Sequence, residues 1–309
     1  MSRADEFRRR LRVGPPLLLD AAMGTELERR GVRCALPLWS AWALLEAPGR
    51  VLEIHREEAA AGAEVLTANT FRTHGRSLGK EGRLEEAAGL TKLAVSLARR
   101  AASEAPRPAW VAGSLSPLED CYRPDLVADD GVLEAEHVEQ AIRLADAGAD
   151  LILAETHNSA RELAAAVRAA RATGLPVVAS MTTDGSGRLL SGEPIADAVR
   201  ALADAPPDAW AVNCVPAGSL LDDLRALAAA APAAPLAAYG NLGPPSDADR
   251  TVFSADVPPH EYARLASGWL DAGARMIGGC CGTTPRHTAA LRSLLDSRDP
   301  RHATNIASP

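Results

Sequence analysis

Residues 134–156, EAEHVEQAIRLADAGADLILAET, contain the pattern that decides the fold. The stretch begins with a helical period, passes through Gly148, and continues at Leu151 into a short, continuously apolar run. Glycine readily adopts the left-handed conformation that ends a helix, so Gly148 predicts a helix end. An apolar run without alternation is typical of a parallel strand that is covered on both faces. These residues therefore predict one helix–turn–strand unit of an α/β protein.

The same unit recurs along the chain. The tripeptide Ala-Gly-Ala also occurs at 61–63 and 272–274, each time between a helical stretch and an apolar run. Such alternation, repeated eight times, predicts a closed (β/α)₈ TIM barrel. We expect residues 1–309 to form this single domain, with short, frayed polar tails at both ends. The predicted strands are 17–22, 64–71, 109–115, 151–156, 177–183, 209–215, 235–241 and 274–280, and the helical stretches include 50–61, 84–102, 134–147 and 161–172.

The composition is that of a globular protein. The 309 residues include 33 basic and 40 acidic side chains, which gives a net charge of −7, and 47% of the residues are apolar. No apolar run approaches the roughly 18 residues of a membrane span, and the first residues lack a secretory signal. The acidic balance without a basic stripe argues against nucleic acid as a partner. We expect a soluble, cytoplasmic protein without membrane contact, whose Ala-rich outer helices could support a homodimer.

Polar and reactive residues collect where the predicted strands end. Active sites of such barrels lie at the carboxyl ends of the strands. Asp20 and Glu155 stand at the ends of the first and fourth strands, and Cys214 and Asn241 at the ends of the sixth and seventh. The eighth strand runs into Gly-Gly-Cys-Cys-Gly at 278–282. Stability alone would not concentrate such groups at one rim, so we expect the active site there.

Three of the five cysteines point to a metal. A small, odd number of cysteines is a poor basis for a disulfide framework. The ends of strands six and eight lie close together in a barrel, so Cys214 could meet Cys280 and Cys281, with glycines relaxing the backbone around the pair. Three thiolates leave zinc one open position, as in catalytic sites. The alternative is an ordinary buried cysteine and a Cys-Cys pair without function, but the joint placement favours zinc.

This ligand set favours one kind of chemistry. A zinc ion with three thiolates carries a net charge of −1, so it is a weak Lewis acid for hydrolysis. It can still accept a fourth thiol and remove its proton, whereas a free thiol with a pKa of about 8.5 is mostly protonated at neutral pH. Alkyl transfer to sulfur is the expected reaction, because the neutral thioether product binds zinc poorly and can leave.

Six motifs carry a family resemblance that runs over nearly the whole chain. With them the chain resembles the homocysteine S-methyltransferases, which include stand-alone enzymes, betaine-dependent enzymes and the homocysteine domain of cobalamin-dependent methionine synthase. The resemblance implies a zinc-dependent enzyme that methylates homocysteine to methionine, with Cys214, Cys280 and Cys281 as the zinc ligands. The motifs are LDAAMGTEL at 19–27, TANTF at 67–71, AET at 154–156, SGEP at 191–194, VNCVP at 212–216 and IGGCCGTTP at 277–285, and the last two together are highly specific.

The resemblance also implies how homocysteine is bound. Asp20 and Glu155 would hold its ammonium group, helped by backbone groups at Ala21 and Ala22. A cation needs carboxylates, whereas a carboxylate prefers N–H donors. Asn241 would shape the substrate site. The alternatives are a salt bridge at the rim for Glu155 and, for Asp20, a cap on the short helix that follows.

Two departures from the family pattern are visible. Ala21 occupies a position where many relatives have glycine, and its β-carbon could crowd the substrate. The segment FRTHGR at 71–76 also differs from the family versions. Arg72, His74 and Arg76 could bind an anionic group of a substrate, although such a run is more often a solvated loop.

The sequence constrains the methyl donor least. Aromatic faces stabilise cations such as betaine and sulfonium ions, and Trp39, Trp42 and Phe71 follow the first two strands. The run LWSA at 38–41 is similar to stand-alone enzymes that use S-methylmethionine or S-adenosylmethionine, which favours a sulfonium donor in contact with Trp39. Packing at the rim is the alternative for Trp39. The donor could also be betaine or a methyl-corrinoid partner protein, and the acceptor could be another thiol or a selenol. A barrel that binds a metal without catalysis, or that senses redox state, is the least favoured interpretation.

Overall fold

Eight parallel strands form a barrel. The computed structural model describes residues 1–243 and 257–299 of the chain. The strands are hydrogen-bonded in the order β1-β8-β7-β6-β5-β4-β3-β2, and a parallel bridge between Leu19 and Val65 connects the two ends. The predicted (β/α)₈ TIM barrel is therefore confirmed. The strands are β1 (Leu17–Leu18), β2 (Val65–Ala68), β3 (Trp110–Leu115), β4 (Leu151–His157), β5 (Val177–Met181), β6 (Ala209–Pro216), β7 (Leu236–Asn241) and β8 (Ala274–Gly279).

Helices cover the outside of the barrel. Gly62, Gly148 and Gly273 have φ angles of +104°, +88° and +98°, which confirms that each Ala-Gly-Ala ends a helix in the left-handed conformation. None of the helices in the described ranges is both long and apolar enough to cross a membrane. The α-helices in these ranges are α1 (Arg3–Arg12), α2 (Met23–Arg29), α3 (Trp42–Glu46), α4 (Pro48–Ala60), α5 (Gly75–Gly79), α6 (Ala87–Glu104), α7 (Asp130–Asp146), α8 (Ala160–Ala172), α9 (Ile195–Ala201), α10 (Leu220–Ala230), α11 (Pro259–Asp271) and α12 (Pro285–Arg298).

The strands match the predicted ones in number and order, but several end early. β1 covers two residues of the predicted 17–22, and β2 ends at Ala68 instead of residue 71. The reason is that the backbone after these strands leaves the sheet while most of its residues stay buried: residues 20–22 lead into α2 along the rim. An apolar run reports burial, so it cannot mark the point at which sheet hydrogen bonding stops.

The prediction of a frayed N-terminal tail is wrong. Residues 3–12 form α1, which begins with a reciprocal capping box between Ser2 and Asp5. Phe7 and Leu11, one helical turn apart, are fully buried in the cluster that fills the barrel interior. Because Arg3 pairs with Asp150 just before β4, α1 lies across the amino ends of the strands. At the other end α12 continues to Arg298, and residues 300–309 of the predicted C-terminal tail lie outside the described residues.

Candidate metal centre and substrate cleft

The barrel brings the three predicted cysteines together. Cys214 lies near the end of β6, and Cys280 and Cys281 follow β8 directly. Their three Sγ atoms lie within 4.8 Å of one another, and those of Cys214 and Cys281 are 3.9 Å apart. A tetrahedral zinc ion with Zn–S bonds of about 2.3 Å separates its sulfur ligands by about 3.8 Å. The thiols therefore have the chemistry and spacing to hold such an ion.

Two irregular strand ends position the site. The pairing of β4 with β5 shifts register between Ala154 and His157, and that of β6 with β7 shifts between Asn213 and Pro216. Thr156 and Cys214, which lie inside these irregularities, have φ angles of +64° and +57°. Such a conformation is costly for a non-glycine residue and re-aims the side chains of a strand. The distortions place Glu155 and Cys214 in the wall of the same cleft.

Asn213 ties the two irregular strand ends to each other. Its Oδ1 accepts hydrogen bonds from the Thr156 backbone N–H at 3.1 Å and from Ser180 Oγ at 2.6 Å. Its Nδ2 donates to Thr156 Oγ1 at 2.8 Å and approaches Cys280 Sγ at 3.9 Å. Asn213 is fully buried, so these bonds are shielded from water. The sequence pattern placed Asn213 at a strand end but gave no indication of this role.

Close packing, more than backbone freedom, requires the glycines before the cysteine pair. A Cβ on Gly278 would lie 2.7 Å from Leu19 Cβ, and one on Gly279 would lie 2.4 Å from Thr283 Oγ1. The predicted relaxed backbone applies to Gly282, whose φ angle is +86°. The loop after β8 thus packs against the end of β1 and can turn both thiols toward Cys214.

Hydrogen bonds among the three thiols shift their pKa values in opposite directions. Bonds from Cys214 and Cys281 hold the pKa of Cys280 well below its usual value, and the same pairing raises the pKa of Cys214 and Cys281. The Tyr122 hydroxyl lies 3.0 Å from Cys214 Sγ and opposes the rise for that thiol. Tyr122 follows β3, and sequence reasoning missed it because no local pattern connects it to a cysteine 92 positions away.

Two buried carboxyl groups border the same cleft. Asp20 accepts hydrogen bonds from the Thr67 backbone N–H at 2.7 Å and from Thr67 Oγ1 at 2.8 Å. Glu155 accepts from Ser114 Oγ and, at 3.3 Å, from the Tyr239 hydroxyl. Burial raises the pKa of each carboxyl group to about 7, against the opposing effect of these donors. At neutral pH each group is therefore present in both its protonated and its ionised form, and the ionised form can bind a cation.

The structural roles considered for these two acids do not match the structure. Helix α2 begins after Ala22 without a side-chain cap, so Asp20 does not cap it. In the described ranges, no basic group forms an ion pair with Glu155. Ala21 and Ala22 line the cleft beside Asp20, and the Ala22 N–H lies 3.3 Å from Thr283 Oγ1.

Asn241 contacts the loop after β8 that carries Cys280 and Cys281. Its side chain is fully buried, and its Oδ1 accepts the Cys281 backbone N–H at 3.1 Å. Asn241 is not among the described residues that line the cleft. A direct contact between Asn241 and substrate stays a prediction, whereas its contact with the cysteine loop is a feature of this fold.

Aromatic rings form part of the cleft wall. Trp39, Phe71 and Tyr122 line a cavity of about 160 Å³ together with the cysteines. Trp39 has a φ angle of +47°, and its indole packs against Gly24. Trp42 is not among the described residues that line this cavity. It belongs to a separate apolar cluster, and its ring centroid lies 3.8 Å from the Arg33 guanidinium carbon.

The segment after β2 is not a solvated loop. Arg72 and His74 are 4% and 3% exposed, so the solvated-loop interpretation is wrong for both. His74 begins α5 and bonds with Ser77, while Arg76 pairs with Glu136 on α7. Local polarity suggested exposure, but Arg72 donates hydrogen bonds to backbone carbonyls of the loop after β3, and His74 is buried as the N-cap of α5. Of the three, Arg72 lines the cleft.

Known proteins resemble this chain over most of its length. The family model for homocysteine S-methyltransferase matches residues 17–295. The chain is 35% identical to the homocysteine S-methyltransferase of Escherichia coli (strain K12), over 95% of this chain and 99% of that protein. It is 30% identical to the homocysteine S-methyltransferase YbgG of Bacillus subtilis (strain 168), over 88% and 92% of the two chains. The crystal structure of the metallated homocysteine methyltransferase MmuM from Escherichia coli has a TM-score of 0.79 and 32% identity, and the match covers 92% of this chain and 99% of that one. The chain is thus an enzyme of the homocysteine S-methyltransferase family, which implies methyl transfer to homocysteine.

Proposed function

We propose that this enzyme transfers a methyl group from a sulfonium donor, S-methylmethionine or S-adenosylmethionine, to the thiol of homocysteine, with zinc on Cys214, Cys280 and Cys281. The observation that carries the proposal is the cluster of three thiols in the wall of an open cleft. Three thiolates suit zinc and leave one position for a substrate. When bound, the ion supplies Lewis acidity that lowers the pKa of an incoming thiol.

Asp20 and Glu155 are proposed to bind the ammonium group of homocysteine. Their pKa values of about 7 reflect burial, and an ammonium group beside them would favour the ionised forms. Thr67 holds one carboxylate, and Ser114 and Tyr239 hold the other, so both are oriented before substrate arrives. Ala21 and Ala22 would lie against the substrate beside Asp20, where both line the cleft.

The transfer step needs positioning more than a protein base. The methyl carbon forms a bond to the homocysteine sulfur as its bond to the sulfonium sulfur breaks. The electron pair of the broken bond stays with the donor sulfur, which leaves as a neutral thioether, and the thiol proton passes to solvent. Trp39, Phe71 and Tyr122 line the cleft and would stabilise the cationic donor through their ring faces.

Metal content and methionine formation, measured on the same preparation, test this proposal. Homocysteine would be supplied with S-methylmethionine, S-adenosylmethionine and betaine in parallel. We expect one zinc ion per chain and turnover with a sulfonium donor. The Cys280→Ala variant should lose both metal and activity, whereas Cys34→Ala should keep both, because Cys34 bonds to the Gly24 carbonyl outside the cluster. Turnover with betaine alone would mean that betaine, and not a sulfonium compound, is the methyl donor. A fully active enzyme without metal would refute the zinc proposal.

A further inference from the structure

Among the described residues, the buried cation Arg72 has only neutral hydrogen-bond partners. It follows β2 and Phe71, is 4% exposed, and lines the cleft. Its Nη1 donates to the Glu119 backbone carbonyl at 2.8 Å and to that of Pro117 at 3.3 Å. Its Nε is buried and has no hydrogen-bond partner in the part of the chain that the structure describes. A guanidinium in this position is only partly satisfied.

The nearby acids do not neutralise it. Within the described ranges no carboxylate forms an ion pair with Arg72, since the Glu119 carboxylate pairs with Arg76 and Lys80. Asp120 also borders the cleft, but its Oδ1 accepts the Tyr122 backbone N–H at 2.9 Å. An unpaired buried charge is costly to a fold unless an opposite charge reaches it. The missing counter-charge is therefore expected to come from a ligand.

The charges around the cleft match an amino acid. Asp20 and Glu155 are acidic groups suited to an ammonium, and Arg72 is the one basic side chain among the described lining residues. Arginine presents a planar fork of donors that fits a carboxylate in a bidentate manner. Its position after β2, beside the Phe71 ring at 5.1 Å, separates it along the rim from Glu155 on β4.

We propose that Arg72 binds the α-carboxylate of an amino-acid ligand in this cleft. The proposal rests on the proposed function, because both homocysteine and an amino-acid sulfonium donor carry such a carboxylate. Either one could supply the group, and the chemistry of recognition is the same for both. Arg72 would then set specificity for amino-acid ligands over analogues that lack the acid.

A purely structural role for Arg72 makes a different prediction. If the guanidinium only anchored the loop at 117–119, its loss would weaken the binding of acids and of their neutral analogues equally. If the guanidinium binds a carboxylate, its loss should weaken the binding of the acids and leave the binding of the neutral analogues unchanged. The ratio of the two affinities within one protein distinguishes the roles and is insensitive to partial unfolding.

Calorimetric titration of two ligand pairs provides the test. S-methylmethionine is compared with its carboxamide, and homocysteine with its carboxamide, on the wild type and on the Arg72→Gln and Arg123→Gln variants. Arg123 is a matched control because it is half-exposed and pairs with Asp125. A charge-assisted bond to a carboxylate predicts an acid-over-amide preference of about tenfold to hundredfold in the wild type. Arg72→Gln should abolish it in the pair whose carboxylate Arg72 binds, and Arg123→Gln should retain it in both pairs.

The two pairs identify the source of the carboxylate. Loss of the preference in the sulfonium pair assigns Arg72 to the donor, and loss in the homocysteine pair assigns it to the acceptor. A preference that survives in both pairs in Arg72→Gln, equal weakening of acid and amide in both pairs, or no preference in either pair in the wild type would overturn the proposal. Methionine formation is measured separately, so a failure of the proposed function is seen without affecting the binding ratios.

Discussion

The contact between Gly24 and the Trp39 indole provides a sharp test of the proposal that Trp39, Phe71 and Tyr122 contact the methyl donor. A Cβ added to Gly24 would lie 2.4 Å from Trp39 Nε1, 2.8 Å from Cε2 and 3.0 Å from Cζ2. Since ordinary van der Waals contact begins at 3.4 Å, Gly24→Ala must displace the indole by about 1 Å. A misplacement of about 1 Å can cost about a hundredfold in rate. We therefore expect kcat/KM for the sulfonium donor to fall roughly tenfold to hundredfold.

The structure also limits what else Gly24→Ala can change. Metal content should stay the same, because the three atoms nearest the added Cβ all belong to Trp39 and none to a cysteine. Overpacking should lower the free energy of unfolding by about 1–3 kcal/mol.

The assay combines urea unfolding with kinetics in which the donor is varied at saturating homocysteine. The control is Gly89→Ala on the exposed face of α6, where an added Cβ meets nothing within 4 Å. It should stabilise the protein by about 0.5–1 kcal/mol and leave the kinetics unchanged. A Gly24→Ala enzyme whose donor kcat/KM stays within about twofold of the wild type would refute the role of Trp39.

Three further predictions concern the carboxylates, the thiol cluster and the barrel interior. Burial raises the pKa of Asp20 and Glu155 to about 7, so both carboxyl groups lose their charge as pH falls below that value. The affinity for methionine, which carries the ammonium group but no thiol, should therefore rise between about pH 6 and pH 8. A flat calorimetric profile over that range would contradict this. Tyr122→Phe removes the hydroxyl bonded to the Cys214 thiol and should weaken zinc binding about tenfold to hundredfold in a chelator competition, and an unchanged affinity would exclude the contact. Phe7→Ala empties a fully buried site and should lower the free energy of unfolding by about 3–5 kcal/mol in urea, whereas a loss below about 1 kcal/mol would mean that α1 is detached in solution.

The parts of the molecule that the sequence predicts well depend on repeated, local signals. Each of the eight strands carries its own apolar run, and three of the units also carry a left-handed glycine in Ala-Gly-Ala, so the barrel could be predicted from local patterns. The cysteines could be predicted because the closed sheet fixes which strand ends are neighbours. Neither inference needs a side-chain conformation.

The parts that the sequence predicts poorly depend on partners far away in the chain. Arg72 has the composition of an exposed loop residue, and it is buried where the carbonyls of Pro117 and Glu119, in the loop after β3, accept its hydrogen bonds. Residues 3–12 have mostly charged side chains, yet α1 packs on the barrel through Phe7 and Leu11, which are buried at its amino end. In each case the deciding term is burial against a surface that exists only after the whole barrel has formed.

The cysteine end and the carboxylate end of the cleft should respond together to substitution, because Asn213 holds both. Cys214 and Thr156 are each held in a left-handed conformation, which costs of order 1–3 kcal/mol per residue. Asn213 offsets part of this cost with two bonds to Thr156 and one to Ser180. Glu155 precedes Thr156, and Cys214 follows Asn213, so one buried amide orients both the proposed ammonium acceptor and a thiol of the cluster. A change at Asn213 cannot relax one end of the cleft without releasing the other, and this makes the two irregular strand ends a single functional unit.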